Sequence, residues 1–157
     1  MRETLHRTCA RVLPVNASGQ VLLLHGWDPK APKSPYWFTV GGGLEEGETL
    51  TAAAVREMLE ETGQRITEAE LSAPLGTEDV AFDWGDWHLV QRQTYYAVRL
   101  DDAGGVHLGG LEPLETGTID TWGWWTPDAL DADGSAAGAS LTDMMRAAIV
   151  AVLGGDT

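Results

Sequence analysis

Residues 41–63 constrain this chain more than any other stretch. Gly41-Gly42-Gly43-Leu44-Glu45-Glu46-Gly47-Glu48 is followed, after seven residues, by Arg56-Glu57-Met58-Leu59-Glu60-Glu61-Thr62-Gly63. The first half reads as a glycine-rich loop. The second reads as a short helix, with Thr49 as N-cap, good helix formers from Leu50 to Leu59, and Gly63 as the stop. Glu57, Glu60 and Glu61 stand at i, i+3 and i+4, so they crowd one side of the final turn. Like charges repel there, and the negative end of the helix dipole adds to the cost, each by about a few tenths of a kcal/mol. Glu57 and Glu61 also fall in line with Leu50 and Ala54, the stripe expected to face the core. Their carboxylates are therefore not expected to point into bulk water. Arg56 alone does not neutralise three carboxylates; a bound divalent cation would.

Taken singly, a Glu-x-x-Glu pair reads as a solvated helix face. The full spacing asks for more: Gly42, five residues, Glu48, seven residues, Arg56-Glu57, the apolar Met58, one residue, Glu60-Glu61, one residue, Gly63. This pattern, residues 42–64, resembles the box of the Nudix hydrolases (MutT-like), with Gln64 standing where the family usually has an aliphatic residue. The resemblance implies an α/β (α+β) fold, an α/β/α sandwich whose central mixed sheet lies between the box helix and a C-terminal helix. It implies hydrolysis of a phosphoanhydride in a nucleoside diphosphate linked to another moiety, either a nucleoside triphosphate or a nucleotide sugar. Mg2+, with Mn2+ as the alternative, would be held by Glu57, Glu60, Glu61 and the carbonyl of Gly41. Glu48 and Arg56 would form a structural ion pair. The general base would be Glu57 or a glutamate outside the box, for which Glu112 and Glu115 are candidates. Gln93, Glu78 and Asp79 lie in regions that supply further polar side chains.

At 157 residues the chain has the size of one domain, 1–157. A formal charge of −14 argues against a protein that grips nucleic acid through its phosphates, which requires a basic face. Phosphate handling by so acidic a chain requires cations that bridge carboxylate and phosphate oxygens, a role suited to hard ions. Cys9 is the single cysteine, so no disulfide forms within the chain, and its apolar neighbours make it a small buried residue. The N-terminal residues lack an apolar signal core, and no run approaches membrane-spanning length, so a soluble cytoplasmic protein is expected. His6, His25, His88 and His107 show no zinc spacing, and neither a Gly-x-Ser-x-Gly elbow nor a Walker lysine loop occurs.

Thr8 to Val15 and Gln20 to His25 read as strands joined by the turn Asn16–Gly19, an expected hairpin. Gly26 to Pro35, with three prolines, is a surface loop or a flap, and its Lys30 and Lys33 are candidates to meet phosphate. Tyr36 to Val40 is a short strand. Leu71 to Phe82 and His88 to Leu100 form a second hairpin with an aromatic tip at Trp84 and Trp87. Trp37, Phe82, Trp84 and Trp87 serve either packing or the stacking of a nucleobase. Ile119 to Trp125 is a tryptophan-bearing strand, followed by a helix capped by Thr126 with Pro127 at its first position. This order also resembles many Nudix proteins. Residues 131–140 read as a small-residue linker. Leu141, Met144, Met145, Ala148, Ile149 and Val152 then mark an amphipathic helix at about 141–153 whose stripe is core.

Val80-Ala81-Phe82 stands where some dinucleotide hydrolases of the family carry a marker tyrosine. A dinucleoside polyphosphate hydrolase with Phe82 in that place is the second enzymatic reading. A module that binds a nucleotide without cleaving it is a third, opposed by the intact Glu57, Glu60 and Glu61. The resemblance further implies a small-molecule nucleotide as partner, no membrane, and homodimers as a frequent assembly.

Overall fold

The computed structural model describes residues 2–101, 106 and 118–154. Its longest strands, β1 (Glu3–Val15) and β6 (Trp87–Arg99), run parallel in unbroken register from Glu3 opposite Trp87 to Val15 opposite Arg99. β5 (Gly76–Trp84) pairs antiparallel with β6 and closes the hairpin at Gly85-Asp86. The other edge of β1 is shared. Residues 9–12 pair with β4 (Val40–Gly43), while β2 (Val21–Gly26) meets β1 only where Val15 faces Val21. β2 turns away to pair with β3 (Tyr36–Phe38) and β7 (Ile119–Trp125), so the mixed sheet forks rather than lying flat. The expected first hairpin is thus a turn with a single paired position, because β2 finds its main partner in a strand about a hundred residues later.

Alternation assigns the two faces of the sheet. Ala10 and Val12 of β1, with Leu22, Leu24, Tyr96 and Val98, pack under α1 (Leu50–Thr62) against Ala53, Ala54 and Met58. Leu13 and Val15, with Val21, Leu23, Tyr95 and Ala97, pack against Leu130 of α2 (Pro127–Asp133) and Leu141, Met145 and Ala148 of α3 (Leu141–Leu153). Helices on both faces make the α/β/α layering, and β2 is buried on both sides, as its unbroken apolar run requires.

Local signals place the helices. The Thr49 side chain accepts from the Ala52 N–H at 3.2 Å, and Gly63 ends α1 at φ 76°, a left-handed conformation that costs glycine little. Thr126 accepts from Ala129 N–H at the start of α2, with Pro127 in the first turn. α2 runs on to Asp133, so the linker begins later than its composition suggests.

The glycine run is the main correction. Gly41 to Gly43 is not a loop but most of β4, with Gly43 opposite Cys9 and Gly41 opposite Arg11. Tyr36 to Val40 accordingly breaks at Thr39 into two strands with different partners. The absence of side chains, rather than a need for a tight turn, explains these glycines. A Cβ on Gly41 would lie 2.2 Å from the Ala10 carbonyl oxygen, and one on Gly42 would lie 2.8 Å from Glu57 Oε1.

Among the described residues, no helix is long and apolar enough to cross a membrane. Glu112 and Glu115 lie outside the described residues.

Candidate active site

The last two turns of α1 lie against β4. Glu57 is 5% exposed and Glu61 fully buried, as their alignment with Ala54 predicts. Glu61 Oε1 accepts the Gly41 backbone N–H at 2.6 Å, and the Glu57 carboxylate fills the space above Gly42 where a Cβ would be. The backbone of a glycine strand and the carboxylates of the helix therefore touch directly.

Arg56 organises the remainder. Its Nε and Nη2 donate to the two oxygens of Glu48 at 2.8 and 2.9 Å, a bidentate pair, and Nη2 also donates to the Gly43 carbonyl. Nη1 donates to Glu57 Oε1 at 2.9 Å and to Glu60 Oε1 at 3.0 Å. The guanidinium hydrogen-bonded to Glu48 holds that carboxyl below its usual range, and Glu48 in turn raises Arg56 further above the guanidinium's ordinary value.

This pair carries a pH signature. Glu48 binds its proton more weakly in the folded chain than in the unfolded one. Over the interval from its ordinary value down to its lowered one, the unfolded state therefore holds more protons, and stability falls as pH falls. Above that interval the contribution is complete. Glu48→Gln is expected to lower the melting temperature at pH 7, with the deficit shrinking as the pH drops through and below the ordinary carboxylate range. Thermal melts of both proteins between pH 7 and pH 3 check this; a deficit independent of pH would contradict it.

Gly41 faces two ways. Its N–H belongs to Glu61, while its carbonyl accepts from Arg11 Nη1 at 3.1 Å. From Arg11 a polar chain crosses the face of the sheet. Arg11 Nε and Gln91 Nε2 both donate to Gln93 Oε1, Gln93 Nε2 donates to the Tyr95 hydroxyl, and that hydroxyl donates to Glu78 Oε1 at 3.1 Å. Ser140 Oγ donates to the other Glu78 oxygen at 2.6 Å, tying the chain to the start of α3. Burial, and then the nearby Glu78 charge, push the Tyr95 hydroxyl far above its ordinary value, so it remains a donor.

These groups line a cavity of about 520 Å³ in the fork of the sheet. Aromatic residues make up much of its remaining wall: Trp27, Tyr36, Phe38, Phe82, Trp84 and Trp87. Phe82, Trp84 and Trp87 thus share one cavity wall. Trp37 is not. Its ring lies 4.7 Å from His25 and 5.3 Å from Trp125, among residues packed toward α2 and α3. Lys33 is exposed and does not line the cavity, and Lys30 pairs with Asp86 at the hairpin tip, 2.7 Å away. Neither lysine lines the cavity, because the loop packs beside the hairpin tip, with Asp28 accepting from the Gly85 N–H. Of the further polar candidates, Glu78 and Gln93 line the cavity, while Asp79 is exposed and bound to Arg92.

Arg7, Arg11, Gln91 and Tyr95 were not singled out from the sequence. The available signal was alternation: Leu5, Arg7, Cys9 and Arg11 share one face of β1, and a strand that places two arginines beside buried positions has a polar cleft to serve.

A bound metal would meet oxygen donors only, the set preferred by hard divalent cations. Among the described residues, no three His, Cys, Asp or Glu groups are already gathered into a cage, since Glu57 and Glu60 both turn onto Arg56 Nη1. Two carboxylates that share one cationic nitrogen lie close enough to share one ion, so the donor set fits.

The NUDIX domain family model matches residues 5–144. An RNA pyrophosphohydrolase of Novosphingobium aromaticivorans is 30% identical over 135 residues, covering 80% of each chain. A putative 8-oxo-dGTP diphosphatase of Bacillus subtilis is 43% identical over 67 residues, 43% of this chain and 40% of that one. In fold, the E. coli dihydroneopterin triphosphate pyrophosphohydrolase superposes with a TM-score of 0.68 at 16% identity, covering 93% of this chain and 98% of its own. With the family match spanning nearly the whole fold and the box carboxylates set against β4 beside a cavity, this chain belongs to the Nudix family and is a Nudix-type pyrophosphohydrolase.

Proposed function

We propose that this chain is a divalent-metal-dependent hydrolase of a phosphoanhydride in a nucleoside diphosphate linked to another moiety. The observation that carries the reading is the double contact of Gly41, a cavity-lining residue whose N–H holds the Glu61 carboxylate while its carbonyl accepts from Arg11, which lines the same cavity. A phosphoanhydride lying across β4 would reach the carboxylates of α1 at one end and the aromatic wall at the other.

Glu57, Glu60, Glu61 and the Gly41 carbonyl would hold the cation, and Mg2+ fits their hard oxygens, with Mn2+ as the alternative. Bound there, the ion supplies charge neutralisation for the diphosphate and an acidified water. The chain's own residues do the rest. Arg56 keeps Glu57 and Glu60 side by side and, committed to Glu48 and Gly43, positions the helix without reaching substrate. Glu57, whose carboxylate lies over Gly42 beside the cavity-lining Gly41, would take a proton from the attacking water. Trp84 and Phe82 offer faces to a base. Arg11 and Thr39 bring backbone and guanidinium to the same lip. On this reading residues 1–157 act as one domain, in the cytoplasm.

The test is product analysis with purified protein and Mg2+ on nucleoside triphosphates, nucleotide sugars and dinucleoside polyphosphates. The expected result is cleavage of one class at the anhydride, abolished by EDTA. Cleavage that survives EDTA would sink metal dependence. No cleavage of any class, with nucleotides still raising the melting temperature, would favour a binding module.

A further inference from the structure

The charges around the cavity are unevenly satisfied. Arg2, Arg56, Arg92, Arg99 and Arg146 each hold at least one carboxylate. Among the described residues, Arg7 and Arg11, both of which line the cavity, hold none. Arg11 donates only to neutral acceptors, the Gln93 amide and the carbonyls of Thr39 and Gly41. Among the described residues the Arg7 side chain makes no ion pair or hydrogen bond; its guanidinium lies over Gly43, where a Cβ would sit 3.1 Å from Nε. The acidic groups of the same wall are occupied: Glu78 by Tyr95 and Ser140, Asp28 by the backbone of Lys30 and Gly85, Asp83 by His88 and Arg2. In a chain of formal charge −14, two uncompensated guanidinium groups in one cleft are not a statistical residue of composition.

We propose that Arg7 and Arg11 form an anion subsite along β4 that receives the free end of a polyphosphate, so that the enzyme prefers substrates with an uncapped phosphate chain over sugar-capped diphosphates. The inference rests on the hydrolase reading above and narrows its substrate. The anchors of the two side chains, Gly43 and Gly41, are two residues apart on one strand face, roughly 7 Å by strand rise. That interval exceeds the spacing of adjacent phosphoryl groups, so the two guanidinium groups would meet non-adjacent phosphoryls of one polyphosphate chain. Arginine's planar donor fork matches phosphate oxygens, and neither guanidinium must abandon a carboxylate to bind. The chain's net negative charge opposes this little at short range, because in physiological salt it is screened beyond about 8 Å. A nucleotide sugar would place a neutral ring against the same arginines and gain no ion pair.

Two measurements test the subsite. First, with Mg2+ present, kcat/KM is compared for a nucleoside triphosphate and for a nucleotide sugar of the same base. Wild type should favour the triphosphate about tenfold or more, the worth of a charge-assisted hydrogen bond. Arg7→Gln should erase most of that ratio and Arg7→Lys should restore part of it. Equal rates in wild type, or an Arg7→Gln loss that falls equally on both substrates, would overturn the proposal. Second, inorganic tripolyphosphate is titrated calorimetrically in EDTA. Wild type should bind it and Arg7→Gln should bind about tenfold more weakly, with circular dichroism melts verifying that the variant is folded. Absence of binding to wild type overturns the subsite, whatever the turnover. If tripolyphosphate binds through Arg7 and no nucleotide is cleaved, the hydrolase reading fails and the subsite stands.

Discussion

Glu61→Gln is expected to reduce turnover by roughly a thousandfold or more on every substrate, because on the proposed reading it removes a charged metal ligand and with it several kcal/mol of transition-state stabilisation. The protein should nevertheless fold. Glu61 is fully buried and accepts the Gly41 N–H, and glutamine retains a carbonyl oxygen for that bond. The change in stability should stay within about 1–2 kcal/mol, the ordinary range for a conservative buried substitution. Glu61→Leu separates the two roles. It leaves the Gly41 N–H without its acceptor and should lose about 1–3 kcal/mol in addition to activity. Turnover measured beside chemical denaturation decides the matter. A folded Glu61→Gln with wild-type turnover would remove Glu61 from the proposed site.

Gly41→Ala should be strongly destabilising, by about 3 kcal/mol or more, because overpacking and a disfavoured backbone conformation act together. The residue sits at φ 142°, which side chains rarely adopt, and its Cβ would lie 2.2 Å from the Ala10 carbonyl oxygen and 2.8 Å from the Arg11 Cα. These obstacles are backbone atoms of a central strand and do not swing aside. Gly19→Ala and Gly134→Ala provide the comparison. Both glycines have positive φ, at 75° and 77°, with nothing within 4 Å of the added carbon, so each should cost only about 1–2 kcal/mol. Denaturant midpoints for the three variants test the ordering. If Gly41→Ala were no worse than the other two, close packing of β4 on β1 would not be what that position requires.

The local elements were legible because their causes are local. Thr49, Gly63, Thr126 and Pro127 bound their helices through hydrogen bonds within a turn or two of chain, and the 141–153 stripe follows from helical period alone. The burial of Glu57 and Glu61 was readable for the same reason, since their alignment with Ala54 is a property of the helix itself. Glycine misled. A run of three has no side-chain pattern from which a strand can be recognised, so Gly41–Gly43 read as a loop while its neighbour across the sheet, thirty residues earlier, held it extended. Trp37 misled differently: an aromatic residue on a short strand has two faces to choose from, and only the packing of α2 and α3 decides which one it takes.

By itself the sequence determined the chemistry that could be present: three carboxylates on one helix end, an arginine to order them, and the glycines that let that helix approach a strand. Spacing within one helix and one strand carries that information, because backbone geometry converts residue number directly into position. Only the tertiary structure decided what cleft lies beside those carboxylates. Gly41 joins Glu61 to the cavity, Arg7 and Arg11 reach it from β1, Gln91, Gln93 and Tyr95 from β6, and Glu78 from β5. These residues come from strands dozens of positions apart, whose register is set by burial on both faces of a forked sheet. No local pattern encodes that pairing, and so the ligand-facing half of the site emerged only when the chain was folded.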